Sequence, residues 1–194
     1  MKIKEITLVA VFAAVMGAMG LVPPITLSFT PVPITLQTLG VLLSGGILGA
    51  RLGAMSQLVF LCMVAVGMPL LSGGRGGGLS VFAGPSVGYI LSWPITAWCI
   101  GYLLSHFRTM KLQYVLWINL TVGILLIYLV GTPIQAYMMD IPVLKAVNLS
   151  LVFIPGDVIK AIFASVLVYR LRKHPALSHF AQKANTGFQS KKAL

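Results

Sequence analysis

Six long apolar segments follow one another along the chain and set the class of fold that it can adopt. They lie at about 5–22, 34–50, 53–69, 84–104, 114–138 and 149–171. Most are close to the roughly 20 residues that an α-helix needs to cross a bilayer. Only 9% of all residues are charged, whereas a soluble domain carries about 25%. We therefore predict an all-α, polytopic membrane protein with six transmembrane helices and no separate soluble domain.

The first apolar segment follows Lys2 and Lys4 and resembles a secretory signal peptide. It lacks a convincing cleavage site, and further apolar segments come after it, so we interpret it as a retained first helix. We assign residues 1–173 to one transmembrane domain. The remaining residues, 174–194, form a basic tail that we predict to be cytoplasmic and partly disordered.

The basic residues predict the orientation of the helices. The chain has 14 Lys and Arg residues against three Asp and Glu, a formal net charge of +11. With the N-terminus in the cytoplasm, all basic residues except Arg75, Lys145 and Lys160 fall in cytoplasmic segments. Positive charge collects on the cytoplasmic side of membrane proteins, so we predict that both termini are cytoplasmic. This distribution accounts for the net charge without nucleic acid as a partner.

Two opposite charges, Asp157 and Lys160, lie inside the last apolar segment. Their i, i+3 spacing places both side chains on one face of a helix. Charged residues within lipid are costly, usually face the protein interior and mark functional sites. Pro155 and Gly156 come directly before the pair and can interrupt the helix, freeing backbone groups to face a cavity. Two interpretations are open: a polar floor of a substrate pocket, or a salt bridge that joins two helices.

The chemistry of this pair indicates what such a pocket could bind. A lysine ammonium suits a carboxylate, and an aspartate carboxylate accepts hydrogen bonds from N–H groups. A small molecule with an acidic end and an N–H-bearing end would engage both residues. In the predicted orientation the last helix runs from outside to inside, and Asp157 lies roughly 12 Å along it. The pair is therefore predicted to lie in the outer half of the membrane.

Two segments predicted to lie outside the membrane, 23–40 and 67–90, are rich in Pro, Thr and Gly. Segments with so little charge make poor solvated linkers, so we expect them to fold as lids. Gln37 in the first segment either contacts a ligand or forms a hydrogen bond between helices, because burial without a partner is costly. Arg75, within the Gly-rich run of the second segment, either closes over an anion or is exposed in a flexible loop.

Aromatic residues flank the Gly-rich segment at Phe82, Tyr89 and Trp93. These side chains could stack on a ring of a bound molecule. Trp93, like the other two tryptophans, is equally typical of an anchor at the membrane interface. Both interpretations remain open from the residues alone.

Small residues recur on the first helix at Ala10, Ala14 and Ala18. Small side chains at four-residue spacing let helices approach closely. Packing within the protein and docking of a separate membrane subunit both fit this stripe.

Recognisable catalytic motifs are missing from the sequence. The Gly-rich run matches neither the P-loop nor the dinucleotide-binding pattern, and no nucleophile lies beside a base. The three histidines lack metal-ligand spacing, and Cys62 and Cys99, both in apolar segments, suit buried neutral thiols. We therefore expect no enzyme activity, no metal and no cofactor.

Two stretches resemble a known family. Residues 31–94, beginning PVPITLQTLG, and FIPGDVIKA at 153–161 closely resemble BioY proteins, the biotin-capturing S components of energy-coupling-factor transporters in prokaryotes. The resemblance extends from Ile3 to Lys173. It implies the six-helix S-component fold in a prokaryotic cell membrane, high-affinity binding of biotin from outside, and no chemistry performed on the ligand.

The resemblance also implies roles for individual residues. Asp157 and Lys160 would contact biotin, with Lys160 on the carboxylate and Asp157 on a ureido N–H, or the reverse. Gln37, Phe82, Tyr89 and the Gly-rich segment fall where the family builds the rest of its pocket. Relatives carry other residues where this chain has Arg75, which could supply a second cation to the carboxylate.

The partners implied by the resemblance are a transmembrane T subunit and two ATP-hydrolysing A subunits. The stripe of Ala10, Ala14 and Ala18 is similar to the family's docking motif for the T subunit. Some BioY proteins work without these partners, so a solitary biotin transporter is one alternative. A second is an S component for a different small vitamin. A membrane-embedded enzyme or a purely structural helical protein fits the buried charge pair less well.

Overall fold

Seven α-helices and a β-hairpin make up the part of the chain that the computed structural model describes, residues 2–74, 77–107 and 109–173. Arg75 and the predicted tail, 174–194, lie outside the described residues. The elements are α1 (Ile3–Gly20), β1 (Ile25–Leu27), β2 (Thr30–Ile34), α2 (Gln37–Ala65), a 3-10 helix (Leu79–Ala83), α3 (Val87–Ser105), α4 (Leu112–Ile118), a π-helical turn (Asn119–Gly123), α5 (Ile124–Met138), α6 (Val143–Leu151) and α7 (Ile154–Lys173).

Four stretches are long and apolar enough to cross a membrane: α1, α2, α3, and the continuous run Leu112–Met138 that joins α4, the π-helical turn and α5. Helices α6 and α7 meet at a bend of 56° and together would make a fifth span. The prediction of a helical, multi-pass membrane protein is therefore confirmed. Six separate spans remain a prediction, because α2 is one kinked helix.

Helix α2 is sharply kinked at Gly49, whose φ of 81° and ψ of −177° lie outside the helical region. Glycine tolerates such a φ because it lacks a Cβ. The kink folds the helix back on itself, since Gln57 Nε2 donates a hydrogen bond to Ser44 Oγ over 2.8 Å. In a straight helix, Ser44 and Gln57 would lie roughly 20 Å apart, since each residue advances the helix by about 1.5 Å. The second and third predicted helices, 34–50 and 53–69, therefore correspond to the two arms of α2.

The first predicted lid segment, 23–40, contains a β-hairpin that the all-α prediction missed. Strands β1 and β2 pair in antiparallel fashion, with Ile25 opposite Ile34 and Leu27 opposite Thr30. The β-branched residues of these strands favour extended backbone. Both strands are edges of a two-stranded sheet, so the prolines of β2 are tolerated there. The same prolines made the segment resemble an irregular loop.

The last predicted helix, 149–171, is broken rather than continuous. Helix α6 ends at Leu151 and α7 begins at Ile154, so the bend lies directly before Pro155 and Gly156. Pro155 falls in the first turn of α7, where its missing N–H removes no helical hydrogen bond. Asp157 is consequently in the first turn of α7, where the positive end of the helix dipole favours a carboxylate.

Two apolar clusters position the functional site. We call the first the Trp93 cluster; it joins α1, α2 and α3 and comprises Ala13, Met16, Val41, Phe60, Leu61, Val64, Leu71, Ile90, Trp93 and Ala97. The second, the Tyr89 cluster, joins the hairpin, α3, α5 and the segment before α7 and comprises Val32, Tyr89, Ile127 and Phe153. Members of both clusters line one cavity.

Candidate ligand-binding site

A cavity beneath the hairpin brings together five of the predicted site residues. Gln37, Tyr89, Trp93, Asp157 and Lys160 all line it. The other lining residues are mainly apolar or hydroxyl-bearing: Val32, Pro33, Ile34, Thr35, Thr38, Leu71, Ser72, Ser86, Ile90, Ile127, Tyr128 and Phe153. Both predicted lid segments, 23–40 and 67–90, contribute to this wall, as expected of segments that fold over a site.

Asp157 and Lys160 form an ion pair within α7 at the edge of the cavity. Lys160 Nζ lies 2.7 Å from Asp157 Oδ1. Lys160 Nζ also donates to the backbone carbonyl of Thr35 over 2.7 Å and to Thr38 Oγ1 over 3.0 Å. An ammonium has three N–H donors, so each has one acceptor among these residues.

Asp157 is held from two other helices as well. Thr38 Oγ1, at the start of α2, donates to Asp157 Oδ1 over 3.2 Å. The Tyr128 hydroxyl on α5 donates to Asp157 Oδ2. The ion pair itself does not join two helices, because both charges are on α7. The connections to other parts of the chain are the hydrogen bonds of the two charges to neutral groups of Thr35, Thr38 and Tyr128.

Thr35, Thr38 and Tyr128 were not predicted as site residues. Two of them lie in the uncharged TPVPITLQTLG stretch, 30–40, whose threonines could have signalled a polar wall. Tyr128 lies in an apolar run with no flanking polar residue, so no local pattern marks it. Only the packing of α5 against α7 brings its hydroxyl to Asp157.

Gln37 connects three parts of the chain. Its Nε2 donates to the backbone carbonyls of Met16 over 3.3 Å and Leu70 over 3.0 Å. Its Oε1 accepts a hydrogen bond from Ser72 Oγ over 2.9 Å. Both donor hydrogens of the amide are therefore engaged within the protein. This geometry favours the structural interpretation of Gln37, although the residue also borders the cavity.

Tyr89 presents its ring to the cavity, and its hydroxyl binds side chains outside the lining. The hydroxyl lies 2.7 Å from Gln135 Oε1, 3.3 Å from Thr132 Oγ1 and 2.9 Å from Ser150 Oγ. The ring meets the Tyr128 ring edge-on, with centroids 6.0 Å apart. Tyr89 therefore supports the tyrosine that holds Asp157.

Trp93 is buried in the cavity wall rather than placed at a membrane interface. It is 4% exposed, and its ring centroid lies 6.0 Å from that of Phe60. Phe82, by contrast, does not line the cavity. Its side chain packs against the Trp93 cluster, because the 3-10 helix that carries it lies beside that cluster. The expectation that Phe82 contacts the ligand is therefore not supported by its position.

The alanine stripe lies on the outer surface of α1. Ala10, Ala14 and Ala18 are exposed, whereas Ala13 and Gly17 are buried against the rest of the protein. A Cβ at Gly17 would lie 3.3 Å from the Leu70 side chain, so close packing uses that opposite face. Among the described residues, nothing buries the stripe, so it is available for contacts outside the chain.

Metal ligation and the two cysteines are the remaining candidates for chemistry in the described residues. Over 2–74, 77–107 and 109–173, no group of three or more His, Cys, Asp or Glu residues could hold a metal ion. Cys62 is exposed and Cys99 is half-buried, so the prediction that both thiols are buried was wrong. Cys62 lies on the outward face of α2, where lipid rather than protein would cover it.

Comparisons with known proteins agree with this architecture. The model of the BioY family matches residues 1–176. A probable biotin transporter BioY of Bacillus subtilis is 43% identical over 178 residues, covering 92% of this chain and 95% of the relative. The biotin transporter BioY of Rhizobium etli is 43% identical, covering 86% of this chain and 92% of the relative.

A solved structure is similar along almost its whole length. It is the crystal structure of the S component for biotin from an ECF-type ABC transporter, an energy-coupling-factor system. It is 37% identical, with a TM-score of 0.87, and the match covers 92% of this chain and 95% of that one. The family model matches most of the chain, two relatives are 43% identical to it, and the fold is shared with a solved S component. The chain therefore belongs to the BioY family.

Proposed function

We propose that this protein is the biotin-binding subunit of an uptake system, capturing biotin from outside the cell in the cavity beneath the hairpin. The observation that carries the proposal is the partly buried Asp157–Lys160 pair at the wall of an otherwise largely apolar cavity, in a chain of the BioY family. The names of the relatives and of the solved S component point to the same ligand.

The pair suits the ureido end of biotin. Because Asp157 Oδ1 and Lys160 Nζ are only 2.7 Å apart, they would meet one end of an elongated ligand rather than its two ends. A ureido group has a carbonyl acceptor flanked by two N–H donors. Its carbonyl would accept from Lys160, and an adjacent N–H would donate to Asp157. This mode replaces the expectation that Lys160 binds the carboxylate while Asp157 binds the ureido group.

The surrounding network prepares these two charges for binding. Thr35, Thr38 and Tyr128 hold the ammonium and the carboxylate by hydrogen bonds. A bound ligand would replace one of these neutral hydrogen-bond partners. It would not have to order two flexible charged side chains, because the protein already holds them in place. Such preorganisation raises affinity, because less side-chain freedom is lost on binding.

The rest of the wall suits the carbon skeleton of biotin. Apolar side chains of the hairpin and of α3 and α5, together with Phe153 before α7, surround the cavity. The rings of Tyr89 and Tyr128 add flat apolar surface beside the ion pair. A bicyclic ring with an aliphatic chain would remove this surface from water, which is favourable in proportion to its area.

We propose that the protein lies in a prokaryotic cell membrane with both termini in the cytoplasm and six crossings, two of them supplied by the arms of α2. The charge distribution supports this orientation. The last turn of α7 carries Arg170, Arg172 and Lys173, and its first turn carries Asp157. If the basic end is cytoplasmic, the cavity lies toward the outside.

The proposed partners are a transmembrane T subunit and two ATP-hydrolysing A subunits. The exposed alanine stripe on α1 supports a helix-docking surface, since small residues permit close approach between helices in a membrane. Uptake of biotin by cells that contain this chain but lack the T and A subunits would instead support a solitary transporter.

Binding to purified protein tests the proposal. Isothermal titration in detergent, without ATP, should show saturable binding of biotin at one site. Mass spectrometry of protein purified from biotin-replete cells should detect biotin as a retained ligand. No detectable heat, or retention of a different small vitamin, would contradict biotin as the ligand.

A further inference from the structure

The indole nitrogen of Trp93 is a buried donor that lacks a partner. Trp93 is 4% exposed, and its Nε1 has no hydrogen-bond acceptor among the described residues. Buried side-chain donors in proteins nearly always have one. Trp93 lines the cavity, so a bound molecule could supply the missing acceptor.

The other buried polar side chains of the cavity wall, those of Gln37, Ser72, Tyr89 and Asp157, have partners. Gln37 is engaged at both ends of its amide, and the Tyr89 hydroxyl has three neighbours. Asp157 is held at both carboxylate oxygens. Within the described part of the chain, Trp93 is the cavity-lining residue that has a buried side-chain N or O atom without a partner.

The surroundings of Trp93 select the kind of acceptor. Phe60, Leu71 and Ile90 belong to the same apolar cluster, and the ion pair of the cavity is on α7, not on α3. Among the described residues that line the cavity, the cation is Lys160, which is already engaged by Asp157, Thr35 and Thr38. A carboxylate beside the Trp93 cluster would therefore lose its hydration for little gain in charge pairing, which is costly. An indole N–H is a donor only, so it suits a neutral acceptor atom on a largely apolar group.

We propose that Trp93 Nε1 donates a hydrogen bond to a neutral acceptor of the ligand's ring system other than the ureido carbonyl, which in biotin is the thioether sulfur. This inference rests on the proposed function. Biotin offers three kinds of acceptor: the ureido carbonyl is assigned to Lys160, and the carboxylate is charged. The thioether sulfur, a weak acceptor, is the remaining one and belongs to an apolar ring.

Analogues that differ only at the sulfur position test the inference. Biotin, its ether analogue with oxygen in place of sulfur, and its carbocyclic analogue with a methylene there are titrated against the unmodified protein and Trp93→Phe. The unmodified protein should bind the methylene analogue about fivefold more weakly than biotin, as expected for one modest hydrogen bond. In Trp93→Phe, the methylene analogue and biotin should bind equally. Trp98→Phe is the matched control, since Trp98 is on the same helix, is 44% exposed and stacks on Tyr102.

The outcomes separate this inference from the proposed function. If the unmodified protein does not bind biotin, both are overturned. If it binds biotin but the ratio between the analogues is the same in Trp93→Phe, Trp93 serves only to pack the wall and the inference is wrong.

A measurement without substitution covers the case in which Trp93→Phe does not fold. The chain has three tryptophans, so ¹⁵N-labelled indole gives three side-chain N–H signals. One signal should move downfield with biotin and with the ether analogue but not with the methylene analogue. Equal shifts with all three ligands would overturn the inference.

Discussion

The Tyr128 hydroxyl on α5 donates a hydrogen bond to Oδ2 of Asp157 on α7. This contact leaves Asp157 Oδ1 to Lys160 and Thr38, so the carboxylate is fixed in one orientation. Helix α7 begins only three residues before Asp157, and the hydrogen bond ties that first turn to the neighbouring helix. The geometry of the proposed ureido site therefore depends on a tyrosine from another helix as well as on the two charges.

Replacing Asp157 with Asn should weaken biotin binding at least tenfold, or about 1.4 kcal/mol. The amide keeps the shape of the carboxylate but removes its charge and one acceptor oxygen. Titration calorimetry measures the loss. Asp140→Asn is the matched control, because Asp140 is exposed and its φ of 52° is one that Asn tolerates. Equal losses in both variants would mean that the effect is not specific to the cavity.

Replacing Lys160 with Met separates a binding pair from a purely structural one. The single variant leaves the buried Asp157 carboxylate without its counter-charge, so stability should fall by about 3 kcal/mol. The double variant Asp157→Asn, Lys160→Met should recover most of that stability and still fail to bind biotin. Thermal unfolding and calorimetry give the two readouts. A double variant that binds biotin normally would favour a structural ion pair.

Tyr128→Phe should reduce affinity by about tenfold, or about 1.4 kcal/mol, because Asp157 loses a hydrogen bond that orients its carboxylate for the ligand. This is slightly less than the roughly 1.5–3 kcal/mol that a hydrogen bond to a charged group contributes, because the bond is also present without ligand. The ring and its contact with Tyr89 are retained, so the fold should be unchanged. Tyr137→Phe, on the same helix and 84% exposed, should bind biotin as the unmodified protein does. Unchanged affinity in Tyr128→Phe would show that its hydroxyl does not contribute to the site.

Gln37→Leu distinguishes the two interpretations of Gln37. If the residue holds α1 and the segment at Leu70 and Ser72 together, the variant leaves buried polar groups unpaired and should lose about 2 kcal/mol of stability. Thermal unfolding in the same detergent measures this change. A normal melting temperature combined with weaker biotin binding would instead identify Gln37 as a ligand contact.

Ala14→Trp should abolish uptake of biotin by cells that contain the T and A subunits, while binding to the purified protein is preserved. The large ring would block close helix approach at the stripe without reaching the cavity. Leu129→Trp, at a position on α5 that is 63% exposed, is the control for a bulky group on the membrane-facing surface. Normal uptake by Ala14→Trp would rule out docking through this stripe.

Local sequence was sufficient for the class of protein and for the charge pair of the candidate site. Apolar runs of membrane-spanning length require helices, since backbone groups in lipid must be satisfied internally. Asp157 and Lys160 could be singled out because charges in such a run are costly and are retained for a reason. Their pairing on one helix face followed from the helical repeat alone.

Tertiary structure decided which side chains complete the site. Thr35 and Tyr128 contact the pair from elements far away along the chain, and no local periodicity encodes contacts between distant segments. Phe82 was expected in the pocket because it flanks the Gly-rich segment and because of the resemblance to BioY proteins, but the 3-10 helix places it against the Trp93 cluster. The folding back of α2 at Gly49 was not predicted, because a glycine permits such a kink but does not require it. The break before α7, in contrast, lies beside Pro155 and Gly156, which can interrupt a helix, as the sequence had indicated. Hydrophobicity determined that the chain enters the membrane, whereas the positions of its polar groups were determined by which helices meet.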